Sequence, residues 1–161
     1  MKKKGNKKLA DQIIKAILGN DLNYIDNWQN GETIDYQDGD KRSAIFYAVL
    51  SKSVEMVAQL LKSNPILDIK DNKGWSPLHY AAQNYLINTA ALLLEHGAEI
   101  EIKDCYGNTP LWRAVFESKG KGEMIKLLLV YGADVNNRND SGISPLELAN
   151  TIANYNIKQF F

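Results

Sequence analysis

The 161 residues predict an all-α solenoid of stacked helix–turn–helix units, and three observations carry that prediction. A short signature, Ser76-Pro77-Leu78, Thr109-Pro110-Leu111 and Ser144-Pro145-Leu146, recurs with its prolines 33 and 35 residues apart. A second set of matches runs in phase with it, Leu92-Leu93-Leu94-Glu95-His96-Gly97-Ala98 aligning with Leu127-Leu128-Leu129-Val130-Tyr131-Gly132-Ala133. Between the markers, Ala90, Leu93 and Leu94 fall at i, i+3 and i+4, which on a helix makes one apolar stripe. A single such unit cannot bury its own stripe, so a period of this size denotes repeats that cover one another.

The units follow in order. Leu9 to Gln37 lacks the signature but ends in Ile34-Asp35-Tyr36-Gln37-Asp38, which matches Leu67-Asp68-Ile69-Lys70-Asp71. Residues 9–37 are therefore an N-terminal capping unit, preceded by a lysine-rich tail over 1–8 that is expected to be solvated. Units over 38–70, 71–103 and 104–138 follow, and 139–161 begins as a repeat and stops after a second short helix, as a C-terminal cap. In each signature the Ser or Thr is a good helix N-cap and the proline sits at the first helical position, where its missing N–H would have had no partner. Ala81 and Ala82 are small enough to let a neighbouring unit approach. Gly97 and Gly132 stand where a helix C-cap needs positive φ, and Gly74, Gly107 and Gly142 stand in the following turn. The second unit departs from this pattern, with Lys41 for the turn glycine, Ala44 for the proline and Asn64-Pro65 for Gly-Ala. The fourth has two additional residues around Ser118 to Gly122, so a bulge is expected there, with Gly120-Lys121-Gly122 as a flexible loop.

The pattern Asp-x-x-Gly-x-Ser/Thr-Pro-Leu followed by Leu-Leu-Leu-x-x-Gly-Ala-Asp/Glu-Val/Ile resembles the ankyrin repeat. The match is close over 71–103 and 104–138, fair over 38–70 and partial at both ends. The resemblance implies antiparallel pairs of short helices joined by hairpin-like turns, and a non-catalytic protein that binds other proteins through a concave groove. It also implies that His79 makes structural hydrogen bonds near its turn, a position that Trp112 takes in the next unit, and that Lys52 and Tyr85 stand where the family usually has an inter-helix glycine.

Composition bounds the alternatives. The chain is 45% hydrophobic and 24% charged, ordinary for a folded soluble domain. Nineteen basic and nineteen acidic residues give a net charge of zero, so no overall field draws it to nucleic acid. The longest apolar run, Ala44 to Leu50, is far short of a membrane span. The segment after the lysines carries Asp11, Gln12 and Lys15 and lacks the apolar core of a signal peptide, so a cytoplasmic location is expected. A lone Cys105 fits a reducing compartment. Abundant Lys, Asn and Ile beside only three Arg point to an AT-rich, bacterial genome.

Catalytic chemistry finds no support. Two histidines and one cysteine make no zinc set, no nucleophile has a base in an evident relation to it, and no Gly-rich phosphate loop is present. No cofactor or metal is expected, and His96 is expected to be exposed near a helix end.

Register on the resembled repeat places Asp40 and Arg42 of the second unit, Asn72, Lys73, Trp75, Gln83 and Asn84 of the third, Tyr106, Asn108, Phe116 and Glu117 of the fourth and Ile143 of the last on the groove. Trp75 and Tyr106 are the expected anchors, framed by polar Asn72, Asn108 and Glu117, because large aromatics dominate protein interfaces. The expected partner is another protein, bound by a monomer, with no nucleic acid and no membrane involved. A more specific alternative is an immunity protein that occludes a bacterial toxin, a role that suits a small repeat domain without an appended effector.

Overall fold

The computed structural model describes residues 2–28, 34–152 and 155–161. Nine α-helices and a terminal 3-10 helix make up the regular structure among these residues, with no strand. They form five units in sequence: α1 (Lys2–Leu18) with α2 (Leu22–Asn27), α3 (Ala44–Ser51) with α4 (Val54–Leu61), α5 (Pro77–Gln83) with α6 (Ile87–Glu95), α7 (Pro110–Phe116) with α8 (Glu123–Val130), and α9 (Pro145–Thr151) with the 3-10 helix Ile157–Phe160. The first helices pack on one another in order, α1 on α3 and so on to α9, and the second helices stack likewise from α2 to α8. Two helical layers run the length of the molecule.

The helix starts follow from the signatures. Ser76, Thr109 and Ser144 each accept the backbone N–H three residues on, at 3.2–3.3 Å, with proline at the head of the helix. Ser43, the counterpart in the second unit, makes no such bond, and its buried hydroxyl has no partner. The lysine-rich segment expected as a tail is, from Lys2, helical backbone continuous with α1. Its side chains lie outside the described residues. Lys41 and Asn64 adopt left-handed φ of 60° and 49°, so the backbone keeps the conformation that glycine holds at those positions in other units, and the inter-helix residues Lys52 and Tyr85 are left-handed as well, at 61° and 55°.

The turns are built alike. Asp38, Asp71, Asp104 and Asn139 each accept the backbone N–H groups two and four residues on. Neighbouring turn tips are then tied by one backbone bond each: Asn72 N–H to the Asp40 carbonyl (3.1 Å), Cys105 N–H to Lys73 (3.3 Å) and Asp140 N–H to Tyr106 (3.1 Å).

The core fills the space between the layers. Leu93 and Ala90 of α6 are fully buried, as are Ala81 and Ala82 of α5, where the small side chains admit α7. His79 is buried as well. Its Nδ1 accepts the Ser76 N–H at 3.1 Å, which leaves Nε2 to donate to the Asn108 carbonyl at 2.9 Å, so one ring bridges two units.

The α7–α8 connection, Glu117 to Gly122, is more than a flexible loop. Gly122 is buried, and a Cβ there would strike the Phe160 ring; at Gly120 it would come within 2.9 Å of the Tyr155 ring. The extra residues give the C-terminal segment a surface on which to dock, with Ile157 fully buried and Lys126 Nζ 5.4 Å from the Phe160 ring.

Candidate partner-binding groove

The turn tips and the outward sides of α3, α5, α7 and α9 carry the residues that register assigned to the groove, and the structure divides them into two groups. Trp75 belongs to the core: it is 9% exposed. The Arg113 guanidinium lies 4.6 Å from its ring centre, and the Tyr80 ring meets it edge-on at 4.8 Å. The expectation that Trp75 anchors a partner is therefore corrected, because the next unit covers its face. Asn108 is 4% exposed and also stands corrected as a rim residue. Its amide N–H donates to Asp104 at 3.3 Å and its oxygen accepts from Asn139 at 2.8 Å.

The second group faces outward. Tyr106 at a turn tip is 64% exposed and Phe116 at the end of α7 is 55% exposed, with Ile143 exposed on the last turn. Phe116 lies nearly parallel to Trp112, at 14° and 5.4 Å between ring centres. Trp112 is half-buried and carries the outer ring as a platform. Asn72, Lys73 and Asn84 are exposed around this patch, and Gln83 and Glu117 are half-buried. Asp40 is exposed, whereas Arg42 is drawn inward to Tyr80 Oη (3.1 Å) and Asp71 (3.5 Å).

Charge beneath the groove is neutralised within the fold. Burial alone would raise the Asp104 carboxyl, but Arg113 and the N–H groups of Tyr106 and Asn108 hold it below its ordinary value. Asp71 is held down in the same way by Tyr80, the turn N–H groups and Arg42. Burial pushes His79 down to about 4, so the bridging ring is neutral near pH 7. Cys105 is exposed, and among the described residues no three His, Cys, Asp or Glu side chains could hold a metal ion. No helix among them is long and apolar enough to cross a membrane.

Sequence reasoning missed the Trp112–Phe116 pair as a unit, although their i, i+4 spacing places them on one helix face. It also missed the docking of the C-terminal segment on the α7–α8 connection. The one signal for it was the change of spacing from 33 to 35 residues.

Helical pairs stacked through their side chains, with linked turns and an open inner face, define a repeat solenoid, a class whose extended surface serves recognition. The chain belongs to the ankyrin-repeat family: the family described as "Ankyrin repeats (3 copies)" matches residues 4–104 and 45–139. Repeats of this family generally mediate protein–protein interaction. No curated protein matches the sequence.

Proposed function

We propose that the protein is a non-catalytic binding module that engages a protein partner on the inner face of its third to fifth units. The observation that carries this reading is the pair of outward aromatic rings, Tyr106 and Phe116, the second held on Trp112. Rigid aromatic side chains lose little conformational freedom on binding and bury much area, which is why they concentrate binding energy. Asn72, Asn84 and Lys73 supply a polar surround that excludes water from such a centre. The immunity version of this reading rests on composition, and protection of cells from a toxin encoded beside this gene is its test.

The groove reading is tested with partner captured from the native source and calorimetry on purified variants. Tyr106→Ala and Phe116→Ala are each expected to weaken binding by about 2 kcal/mol or more with melting temperature unchanged. Parent-like affinity in both variants would remove the inner face from consideration.

A further inference from the structure

Residues 155–161 pack on the stretch of chain that leads out of the binding surface. Phe160 lies over Gly122, the residue before α8, with Lys126 Nζ 5.4 Å from its ring, and the Tyr155 ring meets Gly120. Ile157 between them is fully buried. These contacts fall on the α7–α8 connection, which begins at the residue after Phe116. The connection is closed on itself. Lys121 N–H donates to the Ser118 carbonyl at 2.8 Å, and the Tyr85 hydroxyl lies 2.8 Å from the Ala114 carbonyl oxygen and 3.0 Å from that of Lys121. Ala114 belongs to the last turn of α7, so Tyr85 joins that turn to the far end of the connection.

Phe116 is carried by the same turn. α7 has seven residues, a length at which a helix depends on what packs against it rather than on its own propensity. Carbonyls of its last turn are satisfied from outside the helix: Val115 accepts the Ser118 N–H at 3.3 Å, and Ala114 the Tyr85 hydroxyl. Phe160 stands against the start of α8, in the second layer, whereas Phe116 projects from the first. On the groove reading above, we propose that residues 155–161 are a positioning element for the binding surface. Docked on Gly120 and Gly122, they hold the connection closed. The closed connection holds the last turn of α7, and that turn presents Phe116 outward on Trp112. Phe160 is then a positioning residue, on which affinity depends although the partner rests on another ring. Chains of packed side chains and hydrogen bonds of this kind carry coupling between separate sites.

The test follows Phe116 directly, in full-length protein with ring-13C phenylalanine. The four labelled residues are Phe46, Phe116, Phe160 and Phe161, assigned by single replacements with Leu. Stacking on Trp112 displaces the Phe116 ring signal, and Trp112→Ala supplies its unstacked position. Phe160→Ala is expected to move the Phe116 signal toward that position while the signal of Phe46, buried in the second unit, stays where it is, and Phe160→Leu is expected to keep both as in the parent. A loss of global stability in a protein that remains folded would not produce this pattern. Tyr155→Ala, a milder change at an exposed ring, is expected to shift the Phe116 signal in the same direction and decides alone should Phe160→Ala fail to fold. A Phe116 signal at the parent position in the folded variants would overturn the proposal. In calorimetry with partner captured from the native source, Phe160→Ala is expected to weaken binding about fivefold or more, and Phe160→Leu to restore it. Loss of affinity in Phe116→Ala beside parent-like affinity in Phe160→Ala would leave the groove reading standing and overturn the positioning role. Parent-like affinity in Phe116→Ala would remove Phe116 from the groove reading, and the positioning role with it.

Discussion

His79 shows how a single residue couples adjacent units. Its ring accepts from Ser76 in its own unit and donates to Asn108 in the next; the first bond requires an unprotonated Nδ1 and therefore the neutral ring, with its proton on Nε2. Burial lowers its pKa from 6.5 to about 4. The unfolded chain therefore takes up a proton at a pH where the folded protein does not. The resulting stability is complete above pH 6.5 and is lost as pH falls from there toward about 4. At roughly 1.4 kcal/mol per pH unit, the loss over that interval approaches about 3 kcal/mol. Urea titrations at pH 7 and pH 5 are expected to show about 2 kcal/mol of this loss in the parent, and His79→Asn, less stable at pH 7, is expected to show a smaller dependence. A parent with equal stability at both values would mean that the ring titrates freely. Trp75 makes the complementary point: packed between Tyr80 and Arg113, it contributes to folding, where its type alone had suggested binding.

At the scale of elements, the α7–α8 connection and the C-terminal 3-10 helix form one structural feature. Gly122 precedes α8 with φ of −113°, a conformation open to any residue, so its lack of a side chain is demanded by the Phe160 ring above it. Gly122→Ala displaces that ring, and Phe160→Ala deletes it. Each is expected to cost about 1–3 kcal/mol, and because both remove the same contact, the double variant is expected to cost little more than either single one. Denaturant titration of the three variants measures this coupling, and full additivity would mean that the ring does not rest on the connection. The position has glycine because of a contact some 40 residues away, so the short-range reading of a flexible loop could not have found it.

Across the whole molecule, stability comes from interfaces between neighbouring units, and the middle unit has two of them. Leu93 is fully buried in α6, which packs on α4 and α8 as well as on α5. Leu93→Ala is expected to cost about 2–5 kcal/mol, against no more than about 0.5 kcal/mol for Lys119→Ala on the surface. Equal losses in denaturant titration would contradict the packing described. The same nearest-neighbour logic explains the groove. Arg42, Trp75, Asn108 and Ile143 stand one repeat apart, yet Trp75 and Asn108 are buried and Ile143 is exposed. Trp75 is covered by Arg113 and Asn108 is bonded to Asn139, each from the following unit, whereas Ile143, on the last described turn, is exposed.

The sequence by itself determined the period, the helix starts and the turn chemistry, because these depend on residues within one unit: a capping hydroxyl, a proline at the first turn, an aspartate that binds its own turn. It also placed Leu93 in the interior, since an apolar stripe repeats with the unit. Which aromatic faces outward was decided only by the tertiary structure. Trp75 and Phe116 are both large rings at inner-face positions, and each meets one ring of its own unit, Tyr80 and Trp112 respectively. The difference lies in the adjacent unit: the Arg113 guanidinium of the fourth unit covers Trp75, while Phe116 keeps more than half of its surface in water.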